Sequence, residues 1–139
     1  MYCKIAIAAA LCFPLFVVPA QAERMIKIDI PFEFEAGQTK MPAGAYEVVF
    51  PGSNMVLIRS VDSKNATFLI SNAVNAGKVP EFSKLVFNRY GDRHFLKEVW
   101  SIGYSQGRQL RPSKAEVEVA RGVSGPTGRE VAAALPARR

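Results

Sequence analysis

The chain has 139 residues, of which 49% are hydrophobic, 22% charged and 10% aromatic, and its formal net charge is +6. That length suits one domain with its own core, and the composition excludes a disordered, collagen-like or coiled-coil chain. A single histidine and two cysteines exclude a multi-histidine metal site.

Met1–Lys4 is a short head with one positive charge. Ile5–Val18 is an apolar run broken only by Pro14, and Pro19-Ala20-Gln21-Ala22 leads into polar sequence at Glu23. A charged head, an apolar middle and an A-x-A ending make a secretory signal peptide. Cleavage is expected after Ala22, which places the product in the periplasm or outside the cell. The apolar run falls short of the about 20 residues of a spanning helix, so no transmembrane segment is expected after processing. Both cysteines, Cys3 and Cys12, lie in this leader. Residues 23–139 therefore hold no thiol, and a disulfide, a catalytic cysteine or an iron–sulfur cluster is excluded there.

Ile26, Ile28, Ile30, Phe32 and Phe34 alternate with Lys27, Asp29, Pro31, Glu33 and Glu35. Period two predicts a strand with one buried and one wet face, and Pro31 puts it at an edge or a bulge. Residues 36–44 read as turn and loop. Strands follow at 46–50, 55–61 and 67–72, separated by Pro51-Gly52-Ser53-Asn54 and Asp62-Ser63-Lys64-Asn65. The strands at 55–61 and 67–72 are partly apolar on both faces, which suits a closed or doubly covered sheet. Strands at 84–90 and 94–101 are joined by Gly91-Asp92, a primed hairpin turn. Residues 103–107 read as a loop. Ala115–Val119 alternates like a strand, but Pro112 and the capping box Ser113-Lys114-Ala115-Glu116 favour a helix at 114–121, with Gly122 as the residue that ends it. The remainder, 122–139, has three arginines against one acid and reads as a basic, structureless tail.

The expected fold is all-β: an antiparallel meander of about six strands, forming a small barrel or sandwich, with a short C-terminal helix. Its domain spans 23–121, between the leader 1–22 and the tail 122–139.

Three segments carry a resemblance. They are Ile30-Pro31-Phe32 through Met41-Pro42-Ala43-Gly44-Ala45-Tyr46-Glu47-Val48, then Lys84-Leu85-Val86-Phe87-Asn88-Arg89-Tyr90-Gly91, and Pro112-Ser113-Lys114. Together they resemble a group of uncharacterised small exported all-β proteins of soil bacteria. The resemblance implies export and a β fold, and it brings no catalytic or binding residue with it.

Gly103-Tyr104-Ser105-Gln106-Gly107 matches the G-x-S-x-G elbow and resembles the version in cutinases and related esterases. The elbow needs a strand-to-helix turn and a histidine downstream. Arg108–Pro112 does not read as a helix, and the only histidine, His94, lies upstream. On a strand His94 and Glu98 share a face about 13 Å apart, too far for one metal, so no metal or cofactor is expected. Glu33 and Glu35, with Asp29, stand at a spacing open to paired-carboxylate chemistry, or simply charge an edge strand.

Arg59 shares a face with Met55, Leu57 and Val61, and Arg89 with Leu85 and Phe87. Such arginines pair with an acid or, if they face inward, meet an anionic ligand. Tyr90, Phe95, Trp100 and Tyr104 lie on or near the last hairpin, as core or as a ligand platform. The expected ligand residues are therefore Arg59, Arg89, Tyr90, Trp100 and Tyr104, for a small hydrophobic, anionic or carbohydrate ligand or an envelope protein partner. No specific nucleic-acid motif is present. The reading is an exported, non-enzymatic β domain of the cell envelope that binds or builds. The rival is a small ester- or carbohydrate-active hydrolase using Ser105 or a carboxylate pair. A third reading is a protein partner added to an exposed edge strand.

Overall fold

The computed structural model describes Pro14, residues 25–123 and residues 125–133. The leader Met1–Ala22 lies outside the described residues apart from Pro14. Ten strands and one helix follow. They are β1 (Met25–Ile30), β2 (Phe34–Ala36), β3 (Thr39–Met41), β4 (Gly44–Gly52), β5 (Met55–Ser60), β6 (Ala66–Asn75), β7 (Lys84–Tyr90), β8 (Arg93–Trp100), β9 (Gln106–Leu110), α1 (Lys114–Gly122) and β10 (Gly128–Ala133).

The sheet runs β1-β4-β5-β6-β9-β8-β7-β10 through antiparallel pairs. It is wrapped but open. Among the described residues β1 pairs only with β4 and β10 only with β7, so no hydrogen-bonded ladder there joins the two ends. The closed barrel among the expected forms is therefore not formed. β6 carries the chain round the corner: Ala66–Ile70 pair with β5, and Ser71–Asn75 pair with β9.

Every strand sends residues into one core. Ile26, Ile28 and Ile30 enter from β1, Tyr46 and Val48 from β4, and Val56 and Ile58 from β5. Leu69, Leu85, Phe87, Leu96, Val99, Leu110 and Ala132 complete the ring. Phe34 makes edge contacts with Tyr46 at 5.1 Å and with Phe87 at 5.4 Å, the arrangement that aromatic quadrupoles favour. The Tyr46 hydroxyl donates to the Pro42 carbonyl, so its polar end is satisfied. The interior is thus filled by side chains.

Several expectations need correction. The strand at 26–34 breaks at Pro31, which has no N–H to extend the ladder; β1 stops at Ile30 and β2 starts at Phe34. The expected loop 36–44 holds the hairpin β2–β3. That hairpin crosses from β8 to β6 where β9 does not reach. Glu35 lies parallel to Phe95 and its carboxylate takes both Arg93 bonds, at 2.7 and 3.1 Å. On the other side Thr39 bonds Thr67, and Gly37, at φ +61, lies where a Cβ would come within 2.8 Å of the Leu69 side chain. The single parallel pair makes the sheet mixed rather than a pure meander.

The expected loop 103–107 holds at 103–105 and ends where β9 begins at Gln106, and the expected structureless tail holds β10 along β7. About six strands become ten. The helix forms as its caps predict: Ser113 is the N-cap and its hydroxyl accepts from the Glu116 N–H. Gly122 stays inside the helix, and Val123 is the cap. Gly91, at φ +60, makes the predicted tight turn between β7 and β8.

Candidate ligand groove

A groove of about 630 Å³ lies on the outer face of β7, β8 and β10. Its floor follows from strand register. Lys84 stands opposite Trp100, and Val86 stands opposite both Glu98 and Val131. Directly opposite side chains share a face, and the neighbours Leu85, Val99 and Ala132 point into the core. Arg129 extends the floor along β10.

The segment Asn75–Phe82 forms the wall. It is tied to the turn before β9: Ala76 N–H donates to the Ser105 carbonyl at 2.8 Å, and Gly103 N–H to the Pro80 carbonyl at 3.2 Å. The Ser83 hydroxyl accepts from Ile102 N–H at 2.9 Å.

Trp100 is fixed rather than free. Its indole N–H donates to Glu98 at 3.0 Å. Its ring rests on Gly107, where a Cβ would come within 2.5 Å of it. Trp100 is 8% exposed, so it offers the groove little stacking surface. Glu98 is thereby committed. Lys84 and Arg129 have no acidic partner among the described residues. Lys78 and Glu81 on the wall stand 3.9 Å apart. The groove is therefore half apolar, through Val86, Val131, Val79 and Phe82, and cationic at its floor.

The five expected ligand residues are not brought together. Trp100 alone lines this groove. Arg59 faces outward on β5 and pairs with Glu47 at 3.0 Å, while Val56 and Ile58 take the inward positions. Arg89 pairs with Glu130 at 3.2 Å. Tyr90 lies beside α1 and donates to Glu116 at 3.2 Å. Tyr104 is exposed in the turn before β9. Sequence reasoning missed Lys84, Glu98 and Arg129. Register would have found the first two, but Arg129 needed a strand in the tail.

The other constellations separate as well. Ser105 leads into β9, not into a helix, and β8–β9 register sets it about 25 Å from the level of His94. His94 stacks on Phe32 at 4.1 Å. Glu33 and Glu35 are each held by a cation, Lys40 at 3.1 Å and Arg93 at 2.7 Å. Among the described residues no group of three or more His, Cys, Asp or Glu could hold a metal ion. No described helix is long and apolar enough to cross a membrane. No family model, curated protein or solved structure matches the chain.

Proposed function

We propose that the chain is an exported, non-enzymatic β domain of the cell envelope that binds an anionic ligand in the groove over β7, β8 and β10. Export is supported by the pattern of residues 1–22. The observation that carries the binding reading is the pair Lys84 and Arg129. Two cations without acidic partners flank the apolar Val86–Val131 pair on the floor of an open groove. A carboxylate or sulfate on an apolar or sugar body satisfies both features, and its attraction falls with salt.

Trp100 is the chain's one tryptophan, so its emission reports this groove alone. The test is a titration with laurate, a galacturonic acid oligomer and a neutral glucose oligomer. An anion is expected to shift the emission saturably, the neutral oligomer to leave it unchanged, and added salt to weaken the effect. The double variant Lys84→Ala, Arg129→Ala is expected to abolish it. No saturable shift with either anion, or a shift that survives the double variant, rejects the reading.

A further inference from the structure

We propose that the groove selects an acidic polysaccharide whose charged sugars alternate with neutral ones. The inference rests on the anion-binding reading above and adds the spacing of the charges. Register fixes where the groove's own charges stand. Lys84 lies opposite Ala133, and Arg129 opposite Asn88. The two cations are therefore four residues apart along neighbouring strands, which sets their Cα atoms about 14 Å apart. Val86 and Val131 lie at the level midway between them, and so does Glu98 on β8. Val131 is 54% exposed, so neither long side chain closes over this midpoint.

The midpoint repels an anion. The Glu98 carboxylate stands there, holding the Trp100 N–H, with no cationic partner among the described residues. Like charges about 4 Å apart cost about 1 kcal/mol even in bulk water, and more beside a protein surface. Each end of the groove thus favours a negative group, and its centre favours a neutral one. The centre is an acceptor on the Glu98 side and apolar on the Val131 side. A neutral sugar ring presents hydroxyls and an apolar face together. Set between two acidic sugars, it covers the midpoint and turns a carboxylate toward each cation. A fatty acid has one charge and leaves the second cation unused. A polyuronate charged on every unit puts a carboxylate beside Glu98, and such repulsion is what separates one ligand from another. An acidic peptide matches the spacing, but its amides need a strand edge, and this floor is the side-chain face of β7, β8 and β10.

The test is titration calorimetry on the full chain as processed by the cell. The probes are glucuronate, a hyaluronan tetrasaccharide, tetragalacturonate, laurate and an extended peptide with glutamates four residues apart. The hyaluronan tetrasaccharide carries two acidic sugars with a neutral one between them. It is expected to bind about 30-fold or more tighter than glucuronate, because its second ion pair forms within one complex. It is also expected to bind about tenfold tighter than tetragalacturonate. Lys84→Ala or Arg129→Ala alone should bring it down to the glucuronate level, while glucuronate itself changes by no more than about twofold. Glu98→Gln keeps an acceptor for the Trp100 N–H and should close the gap between the two oligomers, a ratio that a merely structural role would not move. Equal affinity for glucuronate and both oligomers overturns this inference and leaves anion binding in the groove standing. Tighter binding of tetragalacturonate, laurate or the peptide than of the hyaluronan tetrasaccharide overturns it too, as does a gap that Glu98→Gln leaves intact. If no anion binds, the groove reading and this inference fall together. The comparison among probes uses the unaltered protein, so it decides even where a variant fails to fold.

Discussion

On β7 and β8 the outward-facing Asn88, Tyr90 and Phe95 are 5%, 8% and 2% exposed, whereas on β6, beside β5, the outward-facing Phe68 and Ile70 are 63% and 69% exposed. Both pairs of strands back onto the same core. The first has been given an outer layer by local chain: α1 lies over Asn88 and Tyr90, and the segment 75–82 walls the groove beside them. The second has no outer layer among the described residues. Outward positions therefore contribute to stability in one half and are spare for recognition in the other. The groove lies where the cover is incomplete.

The largest effect expected on the covered half is at Glu116. Its carboxylate is 5% exposed and accepts from Asn88 at 3.1 Å and Tyr90 at 3.2 Å. It sits three residues past the N-cap, yet it turns into the sheet instead of back to Ser113. Glu116→Ala leaves two buried donors without an acceptor and is expected to cost about 3 kcal/mol in urea denaturation. Glu116→Gln keeps an acceptor oxygen and should recover most of that. A loss below about 1 kcal/mol for the alanine variant would show that the helix does not cover this face in solution.

Gly107→Ala comes next. The new methyl meets the Trp100 ring, which cannot lift without breaking its bond to Glu98. Overpacking of this kind costs about 1–3 kcal/mol, and Trp100 emission should report the shift directly. Unaltered emission and stability would mean that the ring is loosely held.

A smaller effect appears with pH. Burial first, and then the Glu116 carboxylate, hold the Tyr90 hydroxyl above its ordinary value of 10.0. A raised pKa means that the fold favours the protonated form. This contribution is complete below about pH 10 and is lost as pH rises through the folded value. Tyr46 has the same sign, from burial and then Asp62. Stability should thus fall at alkaline pH, and Tyr90→Phe should flatten part of that fall. An identical pH profile in the variant would remove Tyr90 from the account.

Much of the frame was legible in residue order. Alternation placed β1, the turn clusters at 51–54 and 62–65 placed β4, β5 and β6, Gly91 placed the β7–β8 turn, and Ser113 with Glu116 placed α1. Alternation works where one face is wet, so it weakened where cover begins. Leu85-Val86-Phe87 reads as continuous apolar sequence because Val86 is buried on the outer side. β2 and β3 are three residues each, too short to show a period. β10 is written in tail-like Gly, Ala and Arg, and only pairing with β7 makes it a strand. The groove was illegible for the same reason. Its floor combines residues 84–86, 98–100 and 129–131, which no local pattern joins. Arg59 was read as a possible inward ligand because parity tells which residues share a face, not which face is inside.

The bare half should be nearly indifferent to loss of its outward apolar groups. Phe68→Thr and Ile70→Thr place a β-branched residue suited to a strand and remove atoms that touch mostly solvent. Each is expected to change stability by no more than about 0.5 kcal/mol. The matching inward change, Leu69→Ala on the same strand, deletes a core side chain and should cost about 2–5 kcal/mol. The contrast between neighbouring residues 68, 69 and 70 measures which side of β6 the fold uses. If the two threonine variants cost as much as the alanine variant, the outer face is covered within the single chain.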